Sequence, residues 1–361
     1  MKVAICWSHI SGYASACWRA LHDGTNGTDV QVQFLAWESN APGTDIAFNN
    51  DLVAGLPIRL LSASEYSDFG LIHDHVAGID PDVLVLPGWM HEPYIRLALS
   101  PALMRAKKVM YVDTPWRGTM RQRLARYRIA PYLKELDGAI VTGERSFQFM
   151  RHLGIAERKI YRGTYGIDLA AVADVFDRRF ARESWPRKFL YIGRYHPDKA
   201  IDVLLAGYAK YRAGVSEPWT LTCCGKGTLG DQIRSANGVT DLGFVDPRQT
   251  PAIMEDHGVF VLASAYDPWP LVIVEACGAG LPLIHSEACG SAVELVRPYF
   301  NGIGFGTGDV DALARAMRWC HDHVDQLPEM GRRGRAFAGA YSAELWAKRW
   351  LAMFEDLTSN A

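Results

Sequence analysis

GVFVLASAYDPWPLVIVEACGAGLPLIH, residues 258–285, reads as a strand, a loop, a helix and a second strand. The runs 258–264 and 281–285 are nearly continuously apolar, as strands are when both faces of their sheet are covered. Between them, Pro270 is well placed to open a helix, where its missing N–H costs nothing, and Gly278 and Gly280 close it. Two such strands joined through a helix run parallel.

The same alternation extends outward in both directions. Toward the N-terminus, strands are expected at 2–7, 30–37, 82–86, 107–112 and 138–142, with helices at 65–79, 93–105 and 144–153. Around the opening stretch, further strands at 188–193 and 219–224 alternate with helices near 199–213, 270–280 and 309–326. This is an α/β chain, and its 361 residues suit two domains better than one core. The charged segment DLAAVADVFDRRFARESWPR (168–187) ends in Trp-Pro, after which the alternation restarts, so we place a linker there. Residues 1–167 then form one doubly wound domain and 188–340 a second, with a helix over 341–361. Two facing domains of this kind leave a cleft at the carboxyl ends of their strands, where ligands of this architecture bind.

Bulk properties narrow the partners. A formal net charge of −2 gives no global basic field, which argues against nucleic acid. Seven cysteines without a Cys-x-x-Cys pair, several inside apolar runs, fit reduced, packed thiols of a cytoplasmic protein. The N-terminal apolar run is too short for a signal-peptide core, and no apolar window is long enough to span a membrane.

Four stretches carry residues suited to chemistry. In YIGRYHPDKAID (191–202) a strand ends at Gly193, followed by Arg194 and Lys199. A guanidinium fork with an ammonium point charge suits a diphosphate, although two exposed cations at a strand-end turn would look the same. Gly225 and Gly227 lie in the next strand–helix loop, and Gly12 opens the first helix. Each glycine either permits close approach of a ligand to backbone or serves a tight turn. Asp267 lies just past a buried strand, as a helix cap or a functional carboxylate, and the amides of Leu271 and Val272 open the next helix. Glu275 interrupts the apolar run PLVIVEAC, where a carboxylate requires a partner.

The second half resembles a retaining glycosyltransferase of family 4. That family shows a GR…KG loop, a G.G loop, EGFGLVVLEAMACGLPVV and then GG..E, in that order. Here the counterparts are GRYHPDKA (193–200), GKG (225–227), DPWPLVIVEACGAGLPLI (267–284) and CGSAVEL (289–295), and TYGID (164–168) resembles NGVD before the linker. The resemblance implies the GT-B fold, two facing Rossmann-like domains with the donor cleft between them. It implies transfer of a sugar from a UDP- or GDP-sugar to a hydroxyl acceptor, with no cofactor and no metal. By the same match, Arg194 and Lys199 would neutralise the donor diphosphate, and Glu275 would accept hydrogen bonds from the ribose hydroxyls. Asp267 would lie near the transferred sugar, and the Leu271 and Val272 amides would approach sugar or phosphate. Asp267 replaces the usual glutamate, Pro-Trp-Pro replaces Gly-Phe-Gly, and Ala200 follows Lys199 where the family has glycine. Where the family often has an acceptor-side histidine, VMYVDTPWRG (109–118) places Asp113, either to orient or deprotonate an acceptor hydroxyl or as a turn former.

Three competing readings stay open on the residues. Asp267 and Glu275 as a glycosidase pair would leave Arg194 and Lys199 without a role. A nucleotide-sugar epimerase of similar architecture and a catalytically inactive nucleotide-sugar binder are the others. The repeated HDHV (73–76 and 321–324) puts histidines two apart, on different sides of a helix. Asp309 and Asp311 open a helix and fit capping better than a metal. Finally, 116–133 holds five arginines between Arg117 and Arg128, with Met120, Leu124 and Tyr127 on one helix face. That pattern suits peripheral contact at the inner face of a membrane, or an ordinary solvated helix.

Overall fold

The computed structural model describes residues 1–38 and 50–359 and divides into two compact units, 1–167 with 343–361, and 168–342. In the first unit seven parallel strands lie in the order β3-β2-β1-β4-β5-β6-β7. They are β1 (Lys2–His9), β2 (Gln31–Trp37), β3 (Ile58–Leu61), β4 (Val83–Pro87), β5 (Lys107–Val112), β6 (Gly138–Val141) and β7 (Ile160–Arg162). The second unit has six, ordered β10-β9-β8-β11-β12-β13. These are β8 (Lys188–Ile192), β9 (Thr220–Cys224), β10 (Val239–Asp241), β11 (Val259–Leu262), β12 (Leu283–Ser286) and β13 (Gly302–Phe305). Both units are Rossmann-like α/β sheets. Their strand order reverses between β1 and β4 in one, and between β8 and β11 in the other, and such switch points open a crevice at the strands' carboxyl ends.

Six helices flank the sites or complete the cores around them: α1 (Gly12–Gly24), α2 (Met120–Arg128), α3 (Glu144–Leu153), α4 (Ala173–Phe180), α5 (Leu271–Gly278) and α6 (Ala343–Ser359). The four strands absent from the sequence reading, β3, β7, β10 and β13, are the four sheet edges. Each is three or four residues long, and β10 has no buried residue, so no continuous apolar run announces them.

The first sheet carries a hydrophobic layer on each face. One layer is completed by α6, whose Trp346, Trp350, Met353, Phe354 and Leu357 are buried beside α1. Burying each such side chain stabilises the fold by roughly 1.5–3 kcal/mol. Two indole N–H groups also donate to carbonyls that the β7 end leaves open, Trp346 to Thr164 (2.8 Å) and Trp350 to Gly163 (2.9 Å).

The segment 168–187 is not a linker. It belongs to the second unit, where α4 packs on the helix Thr250–Glu255. Arg179 is buried, and its Nη1 donates to the carbonyl oxygens of Met254 (2.7 Å), Glu255 (3.0 Å) and His257 (2.5 Å), capping that helix's C-terminus. Arg178 and Arg182 pair with Glu255 and Asp256, and the Trp185 indole donates to Gly258. The charge that suggested a linker instead clamps one helix end.

Candidate functional site

At the β8–β11 switch point, the loop after β8 is held by its own backbone. The Tyr191 hydroxyl donates to the Arg194 carbonyl (2.9 Å), and the Tyr195 N–H donates to the Lys226 carbonyl (2.9 Å). A Cβ on Gly225 would lie 2.0 Å from the Gly193 carbonyl oxygen, and one on Gly227 would lie 2.5 Å from that of Tyr195. The close approach these glycines permit is therefore to the 193–195 loop itself, which brings Arg194 to the surface. Lys199 ends the short turn Pro197–Lys199, and Ala200 follows it in the left-handed region at φ 48. The change from glycine to alanine there is a strained one.

Across the switch point, the loop after β11 is tied to this turn. The N–H groups of Ala265 and Tyr266 both donate to the Asp198 carbonyl (2.8 and 3.1 Å). Asp267 then pairs with Lys199, Nζ to Oδ2, at 2.5 Å. It is not the cap of α5: the extended N-cap residue is Pro270, so the helix starts one residue later than the sequence suggested. Asp267 is 8% exposed, and burial raises its carboxyl above the usual range while Lys199 and Arg194 pull it partly back.

Residues 289–291, within the CGSAVEL stretch that the sequence matched to the family without giving its residues a role, brace this loop. Asp267 forms a parallel bridge with Cys289, and the Gly290 N–H donates to the Asp267 carbonyl (2.9 Å). A Cβ on Gly290 would sit 1.8 Å from the Pro268 oxygen, so only glycine fits. The buried Ser291 hydroxyl donates to the Pro270 carbonyl (2.9 Å). The pattern CGS shortly after a strand was the available signal.

In α5, Ile273, Val274, Ala276, Cys277 and Gly278 are buried, whereas Leu271, Val272 and Glu275 are partly open. Helical spacing puts those three on one edge, with the Leu271 and Val272 amides in the first turn, where no intrahelical acceptor exists. The Glu275 carboxylate makes no hydrogen bond or ion pair among the described residues. Burial alone pushes its pKa up to about 7. The partner this carboxylate requires is not supplied by the protein around it, which is what a site for hydroxyl donors looks like.

The first unit's switch point is built differently. Ser11 caps α1 by accepting from the Ala14 N–H, with Gly12 as the first helical residue. Trp7 stacks on Tyr111 (3.9 Å), and Tyr13 meets Tyr165 edge-on (5.3 Å). Asp113, just past β5, accepts a hydrogen bond from the Tyr165 hydroxyl at 3.1 Å. It is partnered, not merely a turn former. His91, past the central strand β4, hydrogen-bonds the Tyr66 hydroxyl (3.1 Å), and Trp37 meets both rings edge-on. Neither Tyr165 nor His91 was singled out from the sequence. A histidine four residues past the middle strand is visible there only once strand order is known.

Of the motifs set aside, Asp309 caps its helix through the Ala312 N–H (2.8 Å), and Asp311 pairs with Lys210 (2.5 Å). His73 bonds Ser100 and His321 bonds Tyr211, so those rings serve local packing.

Comparison with known proteins agrees with the second unit's geometry. Residues 186–323 match the family model described as Glycosyl transferases group 1. An exopolysaccharide phosphotransferase of Streptomyces coelicolor is 25% identical over 95% of this chain and 35% of its own length. A glycogen synthase of Mycobacterium tuberculosis is 30% identical over 51% of this chain and 44% of its own length. The chain thus spans between a third and a half of these relatives. Among solved structures, Anabaena HepE in complex with UDP and glucose superposes with a TM-score of 0.72 at 16% identity, covering 99% of this chain and all of that one. Sucrose-phosphate synthase of Thermosynechococcus elongatus gives 0.74 at 16% identity, with full coverage of both chains. Two Rossmann-like domains of the GT-B type are the fold of this chain.

Proposed function

We propose that the protein transfers a sugar from a UDP- or GDP-sugar to a hydroxyl acceptor, with retention at the anomeric carbon. The observation that carries this reading is the Lys199–Asp267 ion pair across the β8–β11 switch point, flanked by Arg194 and an unpartnered Glu275. The family match over 186–323 and the UDP complexes of a protein with the same fold support it.

The chemistry follows from charge. Breaking the sugar–phosphate bond develops negative charge on the diphosphate and positive charge at the anomeric carbon. Lys199 has three N–H donors, so it can keep Asp267 and still bind a phosphate oxygen. Arg194 adds a guanidinium fork, and the first-turn amides of α5 add a positive helix end. Asp267 faces the developing cation, and Glu275 accepts from the ribose hydroxyls. Pro268 and Pro270 lack N–H groups, so this loop offers the sugar fewer donors than Gly-Phe-Gly does, which would narrow donor choice. In the first unit, Asp113, steadied by Tyr165, orients or deprotonates the acceptor hydroxyl. These fixed cations supply the leaving-group charge without a metal, so chelator should leave turnover unchanged.

Isothermal titration with UDP and GDP tests the reading. One of them should bind at micromolar strength, and Arg194→Ala should weaken it by about tenfold or more. Absence of binding by either nucleotide, or an unaffected Arg194→Ala variant, removes the proposal. Slow hydrolysis of one nucleotide sugar, followed by mass spectrometry, would identify the donor. NMR of the product's anomeric proton decides retention.

A further inference from the structure

Helix α2 is at odds with its surroundings. All of its residues have at least partly exposed side chains, and none is buried. Met120, Leu124 and Tyr127 share one face and are 67%, 56% and 69% exposed. The opposite face, through Ala125 with Ile129 just beyond the helix, packs on the first unit's core. Gln122 pins the preceding loop by accepting from the Arg117 N–H (2.7 Å) and donating to the Pro115 carbonyl (2.8 Å). A helix that turns its small residues inward and its large apolar residues outward inverts the arrangement that folding alone would select.

The charges lie beside that outward face. At 100° per residue, Arg121 and Arg128 flank it on one side, Arg123 and Arg126 on the other. None of these four makes an ion pair among the described residues. Residues 114–134 contain five arginines and one lysine and no acidic residue, in a chain whose formal net charge is −2. The segment is therefore locally basic in a chain that is not basic overall.

The helix is also fixed in place. Trp116, just before it, and Trp89, after β4, both pack on Phe149 of α3 (5.7 and 5.5 Å). That clasp draws the β4 loop, with Met90 72% exposed, toward the start of α2. Apolar side chains in the middle with arginines on both flanks complement one surface above others: a bilayer with anionic lipid, apolar below the headgroups and negative at their level. A soluble polyanion would use the arginines and leave Met120, Leu124 and Tyr127 in water.

We infer that α2 is a membrane-docking helix that lays its Met120–Leu124–Tyr127 face into an anionic bilayer while its arginines contact the headgroups. The docking does not depend on the transferase reading, and its test involves no turnover. Full-length protein is floated with vesicles of neutral lipid, of neutral lipid with about a quarter anionic lipid, and with a soluble acidic polysaccharide as competitor. The protein should float with anionic vesicles and stay below with neutral ones. Arg121→Glu and Arg128→Glu should each weaken the partition by about fivefold or more. Leu124→Ser should weaken it at unchanged charge, and since Leu124 is exposed, thermal melting should be unaltered. Absence of flotation on anionic vesicles overturns the inference. So does flotation that Leu124→Ser leaves intact, or that the soluble polysaccharide abolishes at equal charge concentration, either of which would mark a general polyanion surface.

Discussion

The two switch points share a topology and differ in chemistry. Between β8 and β11 the loops carry Arg194, Lys199 and Asp267, with Glu275 on the adjoining helix, so the site is built for charge. Around β1, β4 and β5 the corresponding region is aromatic: Trp7 and Tyr111 on the strands, Tyr13 in α1, and Tyr165 and His91 in loops, with Asp113 held by a tyrosine. The first suits an anion with hydroxyls attached. The second offers one partnered carboxylate beside aromatic rings, two of which, Trp7 and Tyr111, are buried in the sheet's core. On the proposed reading, one fold used twice in a chain would separate donor from acceptor by placing charge at one switch point and aromatic rings at the other.

The largest expected effect lies in the charged switch point. Lys199→Ala should reduce transfer by about 10²–10³-fold, the scale for removing a group aimed at developing charge. It should also cost about 2 kcal/mol of stability, because Asp267 is left buried without its ammonium. Adding Asp267→Ala should restore stability without restoring transfer. If the double variant recovers both, the ion pair is structural and the comparison between the two sites collapses.

Next comes Asp113→Asn, expected to lower transfer by about 10²-fold, within the range for general-base removal, with nucleotide affinity unchanged in titration. Tyr165→Phe should lower it less and displace the acidic limb of the pH–rate profile, because the tyrosine acts through Asp113. A loss of nucleotide binding in either variant would show that the aromatic switch point is not acceptor-only.

Glu275→Gln separates binding from folding. The native carboxyl titrates near 7, above an unfolded carboxylate near 4.5, so the folded state holds a proton that the unfolded state releases between those values. Stability linked to this group is thus fully present below about 4.5 and is lost as pH rises through about 7. The glutamine variant should be more stable than the parent at pH 8, by about 1–2 kcal/mol, and should lose that advantage by pH 5. Nucleotide affinity should fall by about tenfold at pH 8, since a neutral amide is the poorer acceptor. The parent's affinity should decline on acidification below about 7, and the variant's should not. A flat profile in the parent would mean that the carboxylate does not meet the ligand.

The sequence disclosed the charged switch point far better than the aromatic one, for a physical reason. Arg194, Lys199, Asp267 and Glu275 are conspicuous because charges and glycines interrupt apolar runs at strand ends. Tyr165, Tyr111 and Trp7 belong to residue types that also fill cores, and only the strand order brings them together. The central strands were legible because both faces are covered. The edges β3, β7, β10 and β13 were not, because their apolar runs are too short. The charge-rich 168–187 misled for the opposite reason: Arg179 is charged and buried, and three carbonyl oxygens compensate it. Composition reports charge and leaves open where the charge goes.

The smallest effect tests a left-handed alanine beside the charged switch point. Ala200 sits at φ 48 and ψ 54 directly after Lys199. An alanine in the left-handed region costs about 1–2 kcal/mol, which glycine avoids. Against this, Ala200→Gly loses a nearly buried methyl, roughly 0.8 kcal/mol, and loosens the unfolded chain further. The balance is close, and strain should win by less than about 1 kcal/mol, raising the melting temperature by about 1–2 °C. Because glycine can hold the same φ, Lys199 should keep its hydrogen bond to Asp267, and nucleotide affinity should stay within about twofold. A lower melting temperature with intact affinity would show that the methyl outweighs the strain. A lower affinity with a higher melting temperature would show that alanine is kept to stiffen the turn that presents Lys199, making the charged switch point one that trades stability for a preset cation.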